Sequence, residues 1–361
     1  MADWLMFVGT YTRSGGSKGI YVYRMDGESG SMTQVHVEEG ISNPSFLAIH
    51  PNQNYLYAVA EVAESSGVPG GAIVSYAIDS KSGKLTRLNQ QSTGGPGPCH
   101  VTVDATGKYA IVANYSGGSI CVLPINADGS LEPNSQFIQH RGGTKVNPQR
   151  QDKAHAHSVI LSPDNRFAVV ADLGMDQVRV YELNSDTGKL TYVESSSFTT
   201  APGAGPRHFE FHPNGKFAYG INELGCTVIA YKYAAATGKL TEVNSRSTLP
   251  KNWEGSNTTA DVHVTKDGRF VYGSNRGHNT LAIFRIRETD GGIEPVGEQS
   301  TGGKTPRNFA IHPEGKYLYA ANQDSDSIIQ FEMNASTGDL IPVGREIRCP
   351  MPVCLKFMPL G

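Results

Sequence analysis

Residues 205–225, GPRHFEFHPNGKFAYGINELG, read as a β-hairpin, with two arms of alternating apolar residues on either side of the turn HPNGK. The arms open on Arg207 and close on Glu223, two charges where β-branched residues would make a better strand. The same pattern recurs along the chain. Six segments align without gaps through the turn: LAIHPNQNYLYAVAE, VTVDATGKYAIVANY, VILSPDNRFAVVADL, FEFHPNGKFAYGINE, VHVTKDGRFVYGSNR and FAIHPEGKYLYAANQ. Their shared aromatics are Tyr55, Tyr109, Phe167, Phe217, Phe270 and Tyr317, spaced 54, 58, 50, 53 and 47 residues apart. Self-similarity at such a period marks a repeat architecture.

A second turn follows each aromatic, in the series KSGKL, ADGSL, DTGKL, ATGKL, TDGGI and STGDL, with strand-like runs on both sides. Each unit is therefore four short antiparallel strands, A to D. One further copy of the second turn, GESGSM at 27–32, has no A strand upstream, while VCLKFMP near the C-terminus resembles an A strand with nothing after it. The two ends complete each other. The expectation is an all-β, seven-bladed β-propeller, a single domain over 1–361, closed by pairing of the terminal strands in one blade so that no sheet edge is left exposed. Two separate sandwiches do not require evenly spaced four-strand units and are disfavoured.

Charge is nearly balanced, 31 Lys and Arg against 34 Asp and Glu for a formal net of -3, which argues against nucleic acid or an anionic membrane as partner. No segment approaches the roughly 18 uninterrupted apolar residues of a membrane span. The start, MADWLMFVGTYT, lacks a basic region followed by a long apolar run, and a cytoplasmic protein is expected. The cysteines, Cys99, Cys121, Cys226, Cys349 and Cys354, are odd in number and without CxxC spacing, against a disulfide framework or structural zinc.

The charged hairpin ends become a question of geometry. Ten residues before each shared aromatic is where strand A opens, and six after it is where strand B closes; a tight turn sets the two side by side. The opening residues are Ser45, Cys99, His157, Arg207, Ala260 and Arg307, and the closing residues Glu61, Tyr115, Leu173, Glu223, Arg276 and Gln323. Strand A is innermost in a propeller blade, so both sets should ring the mouth of the central channel. Repeats that otherwise copy one another differ here, as a site added to a symmetric scaffold would.

Histidines divide by the same test. His50, His212 and His312 share the position before the turn proline and belong to the scaffold. His100 and His208 follow the opening position and should face away from it in an alternating strand. His155 and His157, in HAHS, are an HxH pair with no ligand at metal spacing nearby, so no metal is expected. The long connection IQHRGGTKVNPQRQDKAHAHS carries Arg141, Lys145, Arg150 and Lys153 against Asp152, and with TTAPGAGPR and PKNWEGSNTTAD it should build one cationic cleft. Arginines there suit carboxylate or phosphate groups, and the Glu and His supply proton transfer. A binding platform without chemistry is the rival; its face would show apolar anchors, for which Tyr115 and Trp253 are the candidates.

FVGTYT, VNPQRQ...HAHS, GAGPRHFEFHPNGKFAYGINEL and DVHVTKDGRFVYGSNR resemble the lactonase-type seven-bladed propeller family, which includes bacterial 6-phosphogluconolactonases and fungal 3-carboxy-cis,cis-muconate lactonizing enzyme. The resemblance runs from Phe7 to Phe357. It implies hydrolysis of a sugar lactone, an anionic small molecule, without a cofactor, with the cycloisomerase reaction as the alternative. It places His157, Arg207, Glu223 and Arg276 as the catalytic set, with His157 favoured for proton transfer and Glu223 orienting Arg207 or the water, a division that could be reversed. Arg307, Arg150 and Lys153 would hold a phosphate, and His155 and His208 complete the expected substrate-binding set.

Overall fold

The computed structural model describes residues 3–13, 16–65 and 67–360. Its A strands are Leu47–Ile49, Pro98–Val103, Ala156–Leu161, Pro206–Phe211, Thr258–Val264, Pro306–Ile311 and Pro352–Pro359, which number blades one to seven. Each A strand touches the next, and the seventh touches the first, closing the ring. The seventh sheet runs Met32–Glu39, Gly19–Met25, Trp4–Thr10, Pro352–Pro359, with Trp4 opposite Pro359 and Val8 opposite Leu355. The chain ends do complete one blade.

Burial grades outward across each sheet. The B strands Tyr109–Asn114, Phe167–Asp172, Phe217–Asn222 and Tyr317–Asn322 are buried at every residue, because neighbouring blades cover both their faces. The outer strand Leu340–Arg348 is mostly exposed or half-buried. In the third blade the D strand is split into Leu190–Tyr192 and Phe198–Thr199, where one strand was expected. The run Ser195–Ser197 explains the break: Ser197 Oγ accepts from Val180 N at 3.0 Å and donates to Val193 O at 3.1 Å, replacing ladder bonds.

Two repeated contacts buckle blade to blade. The tyrosine two residues after the shared aromatic donates to the carbonyl of the next blade's second-turn glycine: Tyr57 to Gly129 at 3.1 Å, Tyr219 to Gly291 at 3.0 Å, Tyr272 to Gly338 at 2.8 Å. Tyr319 makes the same bond to Gly30 at 3.1 Å, so the closing blade docks like the others. The scaffold histidines act at the same end of the blade, with the rings of His50 and Tyr57, and of His212 and Tyr219, 6.4 Å apart. His50 Nε2 lies 2.9 Å from Gly107 O and His212 Nε2 2.9 Å from Gly268 O, each in the next blade's A–B turn. Both glycines sit at φ +73°, and a Cβ on either would run into the histidine ring. In the closing blade that turn is replaced by the chain ends; His312 packs its ring against Trp4 instead, and its Nε2 has no hydrogen-bond partner among the described residues.

Candidate active site

Strand A does not keep simple alternation where it opens. Pro98 pairs with Asn114 and His100 with Ala113; Pro206 pairs with Asn222 and His208 with Ile221, and the third and sixth blades repeat the slip. The opening residue is thus the extra one of a β-bulge, which re-aims side chains and sends both it and its successor inward. The expectation that His100 and His208 face away is corrected: Phe46, His100 and His208 contact one another across the lumen, with centroids 4.0 to 5.8 Å apart. The residue after the opening position forms a second polar layer under the mouth, with Asp261 and Asn308 in it.

Glu223 is the centre of the mouth. Its Oε2 accepts from Arg207 Nε at 3.0 Å and lies 3.2 Å from Arg276 Nη2, while Oε1 accepts from Arg150 Nη2 at 2.5 Å. His157 Nε2 lies 4.0 Å from Oε2. Backbone bonds fix the carboxylate's place, Glu223 N to Gly205 O at 2.7 Å and Thr259 N to Glu223 O at 3.1 Å. Arg207, only 2% exposed, also donates to Ala260 O at 2.6 Å, and Arg276 to Thr259 O at 2.7 Å. The four residues expected to form the catalytic set are therefore together.

Burial alone would raise the Glu223 carboxyl, but Arg276, Arg207 and Arg150 outweigh it and hold it well below the usual carboxylate range. Burial, then Arg276 and Arg307, lower Arg207 to about 9, still charged at neutrality. Burial with Arg207, His208 and Arg307 keeps His157 well below the histidine range, so its imidazole is neutral. Four arginines, Arg150, Arg207, Arg276 and Arg307, outnumber the two glutamates of the mouth, Glu223 and Glu61, while Asp261 in the layer beneath also acts on Arg207. The buried Nε–H of Arg276 has no acceptor among the described residues.

The other expected binding residues separate. Arg150 is spent on Glu223 and on Tyr115 Oη at 3.0 Å rather than free for a phosphate. Its loop is pinned by buried Gln151, which donates to Asp176 at 2.7 Å, and Asp176 also accepts from Gly203 and Gly205 of the next loop at 2.7 and 2.8 Å. His155 backs the site, with its ring stacked 4.6 Å from Tyr115 and its nitrogens 2.9 Å from Tyr115 O and from Asp152. Lys153 is exposed and joins none of these contacts. Arg307 lies over the Tyr11 ring at 5.3 Å with no hydrogen bond to any described residue.

Tyr11 and Asp261 escaped the sequence reading, which placed Glu61 on the rim without giving it a role. Tyr11 N donates to Met351 O as Glu223 N does to Gly205 O, so Tyr11 closes strand B of the seventh blade, a blade with no aligned copy. Its hydroxyl donates to Glu61 at 2.9 Å.

Fold and mouth together define a class: a closed seven-bladed propeller with guanidinium, carboxylate and imidazole groups converging over one end of its channel. A family described as "Lactonase, 7-bladed beta-propeller" matches residues 5–357, and the chain belongs to it. It is 38% identical to a 6-phosphogluconolactonase of Bacillus subtilis (strain 168) over 99% of both chains, and 36% identical to one of Formosa agariphila over 85% of this chain and 86% of that one. The structure of a periplasmic gluconolactonase, PpgL, from Pseudomonas aeruginosa superposes with a TM-score of 0.93 at 34% identity, covering 100% of both chains.

Proposed function

We propose that this protein hydrolyses a phosphorylated sugar lactone, with 6-phosphogluconolactone as substrate. The observation that carries the reading is the cationic excess around Glu223: four arginines against two glutamates at a largely buried mouth suit a phosphate dianion. Arg307, the guanidinium without a hydrogen bond to any described residue, is the group free to take it. Attack of water on the lactone carbonyl places negative charge on its oxygen, and a preorganised N–H lowers that barrier. Arg276 Nε, buried and unpartnered, is the available donor. Glu223 holds the guanidiniums in place, both of its oxygens being occupied. A neutral imidazole accepts the water's proton; His157 and His208 are the two at hand. The five free thiols favour a reducing compartment and support a cytoplasmic location.

A second reading, an unphosphorylated aldonolactone, is favoured by the likeness to the Pseudomonas gluconolactonase. Initial rates on 6-phosphogluconolactone, gluconolactone and carboxymuconolactone separate the readings. A kcat/KM for the phosphorylated substrate about a hundredfold or more above gluconolactone is expected from two retained ion pairs. Equal rates would remove the phosphate, and turnover of carboxymuconolactone alone would move the protein to the muconate branch.

A further inference from the structure

Three groups at the mouth could accept the proton of the attacking water, and their hydrogen bonds tell them apart; the question rests on the lactone hydrolysis proposed above. Glu223 is saturated by guanidiniums. His157 has its nearest carboxylate oxygen at 4.0 Å, and Arg207 and Arg307 oppose a positive charge on it. His208 stands differently. Its Nδ1 lies 2.6 Å from Oδ1 of buried Asp261, and its Nε2 bonds no described residue. Its side chain keeps 9% of its surface exposed, against 6% for His157.

Asp261 is itself built in. Its Oδ1 accepts from Val262 N at 3.1 Å, and its Oδ2 accepts from the Asn308 side chain and from His263 Nε2 at 3.1 Å. His263 Nδ1 in turn lies 2.5 Å from Glu210 Oε2. Glu210 and His263 line a cavity of about 450 Å³ at the other end of the channel. A hydrogen-bonded chain therefore runs from that cavity to His208, whose ring is 5.5 Å from that of His157. Asp261 and Asn308 also accept from Phe309 N and Leu355 N and so tie blades five, six and seven, whereas blades one and three close the same layer with Phe46 and Ser158.

We infer that His208, oriented by Asp261, is the catalytic residue that accepts the proton during lactone opening, with Asp261 its positioning residue. A carboxylate on Nδ1 fixes the tautomer that leaves Nε2 bare and stabilises the imidazolium once it forms. The proton of water moves to Nε2 as the water oxygen bonds the carbonyl carbon. When the ring C–O bond breaks, the departing alkoxide takes that proton back from Nε2, giving the hydroxy acid and restoring the base without a co-reactant. His157 is left to align water or substrate.

The groups facing His208 set its readiness. Burial comes first, then Arg207, with Asp261 acting the other way and His263 adding to the lowering, for a value of about 4. His100 and His157 pack against it, Asn308 reaches it through Asp261, and Lys356 lies over Phe46 beside it. The imidazole is thus neutral at physiological pH, and a bound dianion raises its basicity during turnover.

His208→Asn is the test, since the asparagine amide can still donate to Asp261 but cannot accept the proton. Expected is a loss of kcat of about 10²- to 10⁴-fold with KM nearly unchanged. Asp261→Asn is expected to lower kcat and to move the acid limb of kcat/KM to lower pH, because the anion that raises His208 is gone; a merely structural role would leave that limb in place. Nitrogen-15 NMR of the full-length wild type should show His208 protonated on Nδ1, and this readout needs no variant to fold. A His208→Asn enzyme within about threefold of wild-type kcat, or a His208 protonated on Nε2, overturns the inference alone. A wild type that opens no lactone overturns the proposed function and this assignment with it.

Discussion

Histidines occupy two regions of this ring and do different work in each. At the turn end, His50 and His212 each reach a glycine carbonyl of the next blade at 2.9 Å, a bond repeated because the interface repeats. At the mouth end, His157 has no histidine counterpart in the other aligned blades and His208 has only His100, and they sit among Arg207, Glu223 and Asp261. The difference teaches how to read a symmetric scaffold. A residue that recurs with the blade serves the blade, and one that breaks the repeat where the strand bulges inward is free for chemistry. His312 sharpens the point, since it keeps the scaffold position but faces the chain ends and has lost its bond.

The comparison breaks most visibly at the mouth. Glu223→Gln should lower kcat/KM by about 10³-fold or more, since the guanidiniums lose their counter-charge and their orientation. It should also cost about 3–5 kcal/mol of stability, because removing one partner leaves buried charges unpaired. Lactone assays and thermal melts on one preparation read both, and a melt restored by 6-phosphogluconate would show the dianion replacing the lost charge. His157→Ala should lose activity comparably while melting close to wild type; undiminished turnover in both variants would sever the mouth from the reaction.

Alkaline pH provides the next contrast. Burial works against charge on His263, but Asp261 and Glu210 outweigh it and raise its pKa to about 10. A folded value above the unfolded one contributes stability that is full below about pH 6.5 and is lost as pH climbs toward 10. Denaturant midpoints should therefore fall across that window, and His263→Gln should flatten the decline. Glu223, held low, works in the opposite direction: its contribution is present above about pH 4.5 and is lost on acidification below it.

At the turn end effects should be smaller and confined to stability. His212→Phe strands the Gly268 carbonyl and should cost about 1–3 kcal/mol with kcat unchanged. His312→Phe should cost less than His212→Phe, because its Nε2 has no bond to lose among the described residues and only the long bond from Glu314 N to Nδ1, at 3.3 Å, is given up. Tyr219→Phe, which removes one interblade hydrogen bond, should cost about 1 kcal/mol. Equal penalties for His212 and His312 would contradict the account of the closing blade.

Much of this was legible beforehand for a physical reason. Alternation, turn glycines and a period near fifty report local backbone preference, and the repeat multiplies a weak signal six times over. The meeting of His157, Arg207, Glu223 and Arg276 followed from placing unlike residues at equivalent positions of a closed ring. That Lys153 is exposed and His155 turns onto Tyr115 and Asp152 was not legible, because proximity along a loop says nothing of which side chains the loop turns inward. His208 was set facing outward by strict alternation, which the bulge suspends.

By itself, then, the sequence determined the ring: blade count, strand order, closure by the two ends and the rim that would carry chemistry, all consequences of pattern repeated along the chain. Only the tertiary structure decided which charges are spent and which are free. Arg150 bound to Glu223, Arg307 left without an acceptor among the described residues and His208 turned onto Asp261 depend on distances between strands remote in sequence, set by how one blade packs upon the next.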